Sequence, residues 1–256
     1  MNRFGNDILV FFVAFLSSLT AADATDYIIP DACRTEQEFT LNGSTMSGST
    51  FIYNNTLELS VRFQFFFREF NSQNATVNFN DDTGTRVYNK SFNEKVEKKS
   101  INFSLSENWS AGDSGLVTYY SADRRPEDCN NRTATNLLVR GVYEISQTTG
   151  EKYSIRAREF CGVNVTLHDI YPVGFDPCNV TLKFSDGKTF NESSINETAT
   201  SVKSPIYFDI YSDCDFAVVI LLYQEDCRST TASGIKVVAN ALPVTFALVL
   251  SMVQWL

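Results

Sequence analysis

The sequence predicts an all-β protein: one or two disulfide-stapled β-sandwich domains lying between an N-terminal apolar segment and a C-terminal hydrophobic tail. Three observations carry this. Apolar residues recur with a period of two in seven short segments, the signature of half-buried strands. Phe, Tyr, Asn, Ser and Thr are abundant, a mixture that favours strands and polar turns over helices. The six cysteines are even in number and widely spread, as in a disulfide framework.

In chain order, residues 1–24 come first. Arg3 gives a basic start, Ile8 to Leu16 an apolar core, and Ala22-Asp23-Ala24 places small residues where a signal peptidase cuts, so cleavage is expected after Ala24. The clearest strand runs from Leu57 to Phe67. Leu57, Leu59, Val61, Phe63, Phe65 and Phe67 alternate with Glu58, Ser60, Arg62, Gln64 and Phe66. Shorter alternation occurs at Ala75-Val77-Phe79, Ile101-Phe103-Leu105, Tyr153-Ile155-Ala157, Val163-Val165-Leu167, Val180-Leu182-Phe184 and Ile206-Phe208-Ile210. Asp82-Thr83-Gly84 and Thr148-Thr149-Gly150 read as hairpin turns. Ala217 to Tyr223 is continuously apolar, as expected of a strand buried on both faces. No long amphipathic helix precedes the tail.

The polar, proline-containing stretch Asp123 to Arg132 separates two strand-rich blocks, giving expected domains at 25–135 and 136–228. Cys33 and Cys129 flank the first; Cys161, Cys178, Cys214 and Cys227 fall in the second. The pairing of nearest partners is Cys33–Cys129, Cys161–Cys178 and Cys214–Cys227, one of about fifteen that six cysteines permit.

In the second block, Cys161-Gly162, Tyr171-Pro172 and Asp176-Pro177-Cys178 are followed by alternating Val180, Leu182 and Phe184 and a later pair, Cys214 and Cys227. This order resembles the start of a CUB domain, with a short first cysteine interval and Val180 where that family places an aromatic residue. The resemblance implies a CUB-like sandwich for 136–228.

Asn-X-Ser/Thr triplets begin at Asn42, Asn54, Asn74, Asn89, Asn102, Asn108, Asn131, Asn164, Asn179, Asn191 and Asn196. Behind a signal peptide these are expected glycosylation sites. Asn74, Asn102 and Asn164 each alternate with apolar neighbours and so point away from the buried faces.

Catalytic constellations are not convincing. Gly112-Asp113-Ser114-Gly115 resembles a serine-protease motif, but Leu116-Val117 follows it and the single histidine, His168, falls after the serine. Asp82-Thr83-Gly84-Thr85 resembles an aspartic-protease loop, although Asn80 and Asp81 stand where apolar residues belong. One histidine and no close cysteine pair give no zinc framework, and Asp209, Asp213 and Asp215 lack EF-hand spacing. Neither catalytic nor metal residues, nor any cofactor, are expected. The net charge of −9 disfavours nucleic acid as a partner.

The last twenty residues, Val237 to Leu256, are apolar. One reading is a transmembrane helix, giving a single-pass type I protein. The preferred reading is a glycosylphosphatidylinositol (GPI) signal: small residues at 229–234, a spacer to residue 240 and an apolar end at 241–256, with Ser233, or else Ser229 or Ala232, as the attachment residue. The expected protein is a GPI-anchored cell-surface glycoprotein that recognises an extracellular protein or glycan ligand. A surface hydrolase with an unrecognised site and a passive shielding glycoprotein are the alternatives.

Overall fold

The structure, a computed structural model, describes residues 25–227 except 70, 71, 73, 98 and 174–177. The leader, spacer, anchor-site and tail expectations, and Asp176-Pro177, lie outside the described residues. Among the described residues strands are the dominant element, beside one short α-helix and two 3-10 turns. The first half contributes β1 (Asp26–Ile29), β2 (Gln37–Asn42), a one-turn helix α1 (Gly43–Met46), β3 (Thr50–Tyr53), β4 (Ser60–Glu69), β5 (Val77–Asp81), β6 (Gly84–Tyr88), β7 (Phe92–Glu97), β8 (Ile101–Leu105) and β9 (Ser114–Tyr120). The second contributes β10 (Asn131–Thr133), β11 (Val139–Arg156), β12 (Gly162–Val173), β13 (Val180–Phe184), β14 (Thr189–Phe190), β15 (Thr198–Ser201) and β16 (Ile206–Asp226).

In the first half, one layer has the strand order β1-β3-β8-β5-β6; the other places β2, β9, β4 and β7 side by side. Their inner residues are mostly aromatic and interlock across the gap. Phe51 stacks on Phe103 at 4.7 Å, and Phe65 meets Phe103 edge-on at 4.9 Å. Such ring pairs add to the burial of large apolar surfaces and fix the separation of the layers. The strand read at 57–67 starts later, at Ser60. Glu58 takes a positive φ of 53°, which turns the chain, and Leu57 is left exposed.

Two long antiparallel strands organise the second half. β11 and β16 pair from Val139↔Tyr223 to Ile155↔Ile206. A straight 21-residue strand would extend roughly 70 Å. Instead the pair folds over: Tyr143 and Tyr153, on the same strand, meet edge-on at 5.3 Å. The outer partners divide accordingly, β12 pairing with the C-terminal half of β16 and β13 with its N-terminal half. The predicted turn at Thr148-Thr149-Gly150 is therefore corrected. It is a bulge inside β11, with register shifts at Ser146/Thr148 and Thr149/Glu151. Gly150 adopts φ +120° there, and a Cβ would lie 2.8 Å from the Tyr211 ring. Bulges bend a strand without ending it.

The halves are joined by hydrogen bonds. β2 pairs with β9 on one side and, through Arg140↔Glu38 and Gly141↔Gln37, with β11 on the other. Asn136 also holds β1, accepting from Ile28 N at 3.0 Å and donating to Asp26 O at 2.7 Å.

Candidate recognition face

Alternation along β16 decides which residues face solvent. Ala217, Val219, Leu221 and Tyr223 are buried in the core. Phe216, Val218, Ile220 and Leu222 point the other way, so the expectation of a strand buried on both faces is corrected. Phe216 is 39% exposed, Val218 and Leu222 are half-buried, and Ile220 is buried yet lies outside the core cluster. β-branched and aromatic residues such as these stabilise the pleat whichever face they occupy.

Neighbouring strands extend this surface. Across β12, Tyr171 lies opposite Val218 and Val173 opposite Phe216. Across β11, Val142, Glu144 and Ser146 lie opposite Ile220, Val218 and Phe216. Tyr171 and Val173 are 51% and 54% exposed. The Tyr171 hydroxyl donates to the Asp169 carboxylate, which holds the phenol above its ordinary pKa. An ion pair from Arg140 to Glu38 at 3.0 Å carries the face onto β2. The result is an apolar ridge of Tyr171, Val173, Phe216 and Val218 edged by Glu144, Asp169, Arg140 and Glu38. Aromatic and aliphatic groups ringed by polar ones are the composition of a docking surface. Sequence reading missed it because a continuous apolar run conceals which of its two faces is open.

Ten of the eleven sequon asparagines (Asn42, Asn54, Asn74, Asn89, Asn102, Asn108, Asn131, Asn179, Asn191 and Asn196) are exposed, and Asn164 is half-exposed. In two of them the sequon hydroxyl donates back to the asparagine: Ser44 to Asn42 at 2.7 Å and Ser193 to Asn191 at 2.6 Å. Two sequons lie beside the ridge strands: Asn196 N donates to Leu167 O at 2.7 Å, and Asp213 N donates to Asn179 O at 3.3 Å. On the face containing the ridge, register and alternation place Asn42, at the end of β2, and Asn164, opposite Gln224 near the start of β12. Both sit at its margins.

The cysteine pairing is corrected in the second half. Cys161 bonds to Cys227 and Cys178 to Cys214, with Cα–Cα separations of 4.3 and 5.0 Å. Strand register dictates this. Gly162 pairs with Asp226, so the next positions outward are Cys161 and Cys227; Val180 pairs with Ser212, which sets Cys178 opposite Cys214. Sequence-adjacent Cys161 and Cys178 are separated by the length of β12. Gly162 follows its cysteine for a packing reason: a Cβ there would lie 2.1 Å from the Ser201 carbonyl oxygen. Cys33 and Cys129 are buried thiols. The acid-and-sulfur groups Cys161/Glu225/Cys227 and Cys178/Asp213/Cys214 contain disulfide sulfurs, which have no thiolate to offer a metal.

The serine-protease-like motif is a structural turn. Asp113 is buried, and its carboxylate accepts from Ser72 Oγ at 2.6 Å, Ser110 N at 2.7 Å, Ser110 Oγ at 2.9 Å and Ser72 N at 3.1 Å. Burial pushes its pKa up, but these hydrogen bonds outweigh burial and hold the carboxyl well below the usual range. Ser114 is on β9, and His168 is the exposed bulge residue of β12. The order β12-β16-β11-β2-β9 puts them four strand spacings apart, roughly 19 Å. Asp82 and Thr83 form the β5–β6 hairpin turn, with Asp81 paired to Gly84. Among the described residues no helix is long and apolar enough to cross a membrane.

No family model and no curated protein matches the chain. Among solved structures it is similar to the CUB1-EGF-CUB2 domain of human MASP-1/3, at 12% identity and a TM-score of 0.24, covering 73% of this chain and 99% of that one. The CUB1-EGF-CUB2 domains of rat MASP-1 match at 11% identity and a TM-score of 0.26, covering 78% and 99%. Tomato vicilin matches at 6% identity and a TM-score of 0.21, covering 77% and 75%. The likeness to CUB-containing structures is weak, and superpositions this loose carry no argument about family or about what the protein binds.

Proposed function

We propose that this protein is a non-catalytic, GPI-anchored cell-surface glycoprotein that recognises an extracellular protein through the ridge of β12 and β16. The supporting observation is the distribution of sequons: nearly all are exposed, yet none is a strand partner of Tyr171, Val173, Phe216 or Val218. A flat apolar ridge fits a protein surface better than a glycan, whose hydroxyls need convergent polar partners. In this reading residues 25–135 and 136–228 act as two sandwich domains, and Ser233 carries the lipid. The described sequon asparagines are glycosylated.

Glu144→Asn tests the face, because it completes an Asn-X-Ser triplet with Ile145 and Ser146 beside the ridge. The added glycan is expected to abolish binding of the protein to its ligand-bearing cells while secretion and thermal unfolding are unchanged. Adding Ser146→Ala, which destroys the triplet, restores binding. Binding that persists with the glycan in place excludes this face. Phosphatidylinositol-specific phospholipase C tests the anchor: release from expressing cells is expected, and retention alongside an efficiently released control excludes it. The shielding reading draws on the exposure of nearly all sequons, and predicts that Glu144→Asn changes nothing.

A further inference from the structure

Cys33 and Cys129 are the two cysteines that the fold leaves outside its disulfides, and they lie against each other. Each thiol is the largest influence on the ionisation of the other. A single guanidinium clamps the two segments: Arg124 donates to Ala32 O at 2.9 Å and to Asp128 O at 2.8 Å, the carbonyls immediately preceding each cysteine. Both backbones are pinned further. Cys33 N donates to Gln37 Oε1 at 2.8 Å, Ser121 N donates to Cys33 O at 2.7 Å, and Arg132 Nε donates to Cys129 O at 3.3 Å. The sulfurs differ in access. Cys33 is 1% exposed, whereas Cys129 lines a cavity of about 220 Å³ together with Arg34, Thr35, Tyr143 and Tyr153.

We propose that Cys33 and Cys129 form a third disulfide, closed by thiol–disulfide exchange in which Cys129 is the attacking sulfur and Cys33 the resolving one. The Cys129 thiolate attacks a small disulfide such as glutathione disulfide that reaches it through the mouth of the cavity; a mixed disulfide forms and one thiolate leaves. Cys33 gives its proton to that thiolate, attacks the Cys129 sulfur and expels the second thiolate, which takes the remaining proton. Two protein thiols are oxidised, one external disulfide is reduced to two thiols, and no other reactant is needed. The environment fits these roles. Interaction with Cys33 lowers the Cys129 thiol against the effect of burial, helped by the Arg34 amide and by Arg124 and Arg132; access through the cavity is what assigns Cys129 the attack. Cys33 is pushed far up by the same interaction and by burial. A thiol with a pKa near ambient pH is the better attacker, and a protected neighbour resolves.

The inference rests on the extracellular reading, since that supplies the oxidising compartment. The test uses the full chain secreted from eukaryotic cells, unfolded in guanidinium chloride with a maleimide present and mapped by mass spectrometry. The expected result is no maleimide on any cysteine and a reductant-sensitive link between the Cys33 and Cys129 peptides. Label on Cys33 and Cys129 alone, with Cys161–Cys227 and Cys178–Cys214 closed, overturns the bridge and leaves the extracellular reading standing; label on all six overturns both. For the order of attack, Cys33→Ala treated with glutathione disulfide is expected to retain one glutathione on Cys129, and Cys129→Ala none on Cys33. The reverse pattern overturns the assignment of roles.

Discussion

Arg158 and Glu225 form a two-point ion pair in which the anion is buried and the cation is not: the Glu225 side chain is 2% exposed, that of Arg158 65%. Arg158 Nε donates to Glu225 Oε2 at 2.9 Å, and Nη2 donates to Oε1. Because the carboxylate has already lost its water, its partner matters more than in a surface pair. Arg158→Ala is expected to cost about 2 kcal/mol by urea unfolding. Adding Glu225→Gln should return part of that loss by removing the stranded charge.

Asp113 makes stability dependent on acid. Its folded pKa lies below its unfolded value of about 3.9, so the contribution is complete above that pH and fades as the pH falls toward the folded value. Asp113→Asn is expected to lose about 2 kcal/mol at pH 7. The gap from wild type should begin to narrow below about pH 4 and keep shrinking as the pH falls further, as read from unfolding midpoints across that range.

Gly150→Ala tests the bend in β11. Both the positive φ and the Tyr211 ring oppose a side chain there. A loss of about 1–3 kcal/mol in chemical unfolding is expected. Gly84→Ala is the reference, since at φ +130° it meets no atom within 4 Å; its loss should be smaller.

The two disulfides close loops of different size, with sequence separations of 66 and 36. Chain entropy assigns each about 4 kcal/mol and makes the longer loop worth about 0.5 kcal/mol more. Cys161→Ala/Cys227→Ala should therefore unfold at lower denaturant than Cys178→Ala/Cys214→Ala. Equal midpoints would deny loop size its role here.

The strand pattern was legible wherever one face is wet. Val61, Phe63 and Phe65 alternate with Arg62 and Gln64, and the burial of β4 follows that alternation. Two features were not legible because they depend on partners distant in sequence. Thr148-Thr149-Gly150 has the composition of a turn, and only the packing of Tyr211 beside Gly150 and the contact of Tyr143 with Tyr153 identify a bend. The cysteine pairing follows from antiparallel register, in which partner numbers share a constant sum. Once Gly162 is opposite Asp226, Cys161 must be opposite Cys227, but no local spacing reveals that register. The ridge shares this origin: Phe216 and Val218 become a surface only when Tyr171 and Val173 arrive beside them.

Cys227 is the last described residue, and its sulfur joins the residue that precedes β12. Tension applied to the chain beyond Cys227 enters two adjacent strands at the same end, β16 through its backbone and β12 through the bridge. The pair cannot be unzipped there one hydrogen bond at a time. Load spreads sideways into β11 and β15, where rows of bonds must slide together. If the proposed anchor holds the chain on that side, the strands bearing the ridge are also those that first take up mechanical pull.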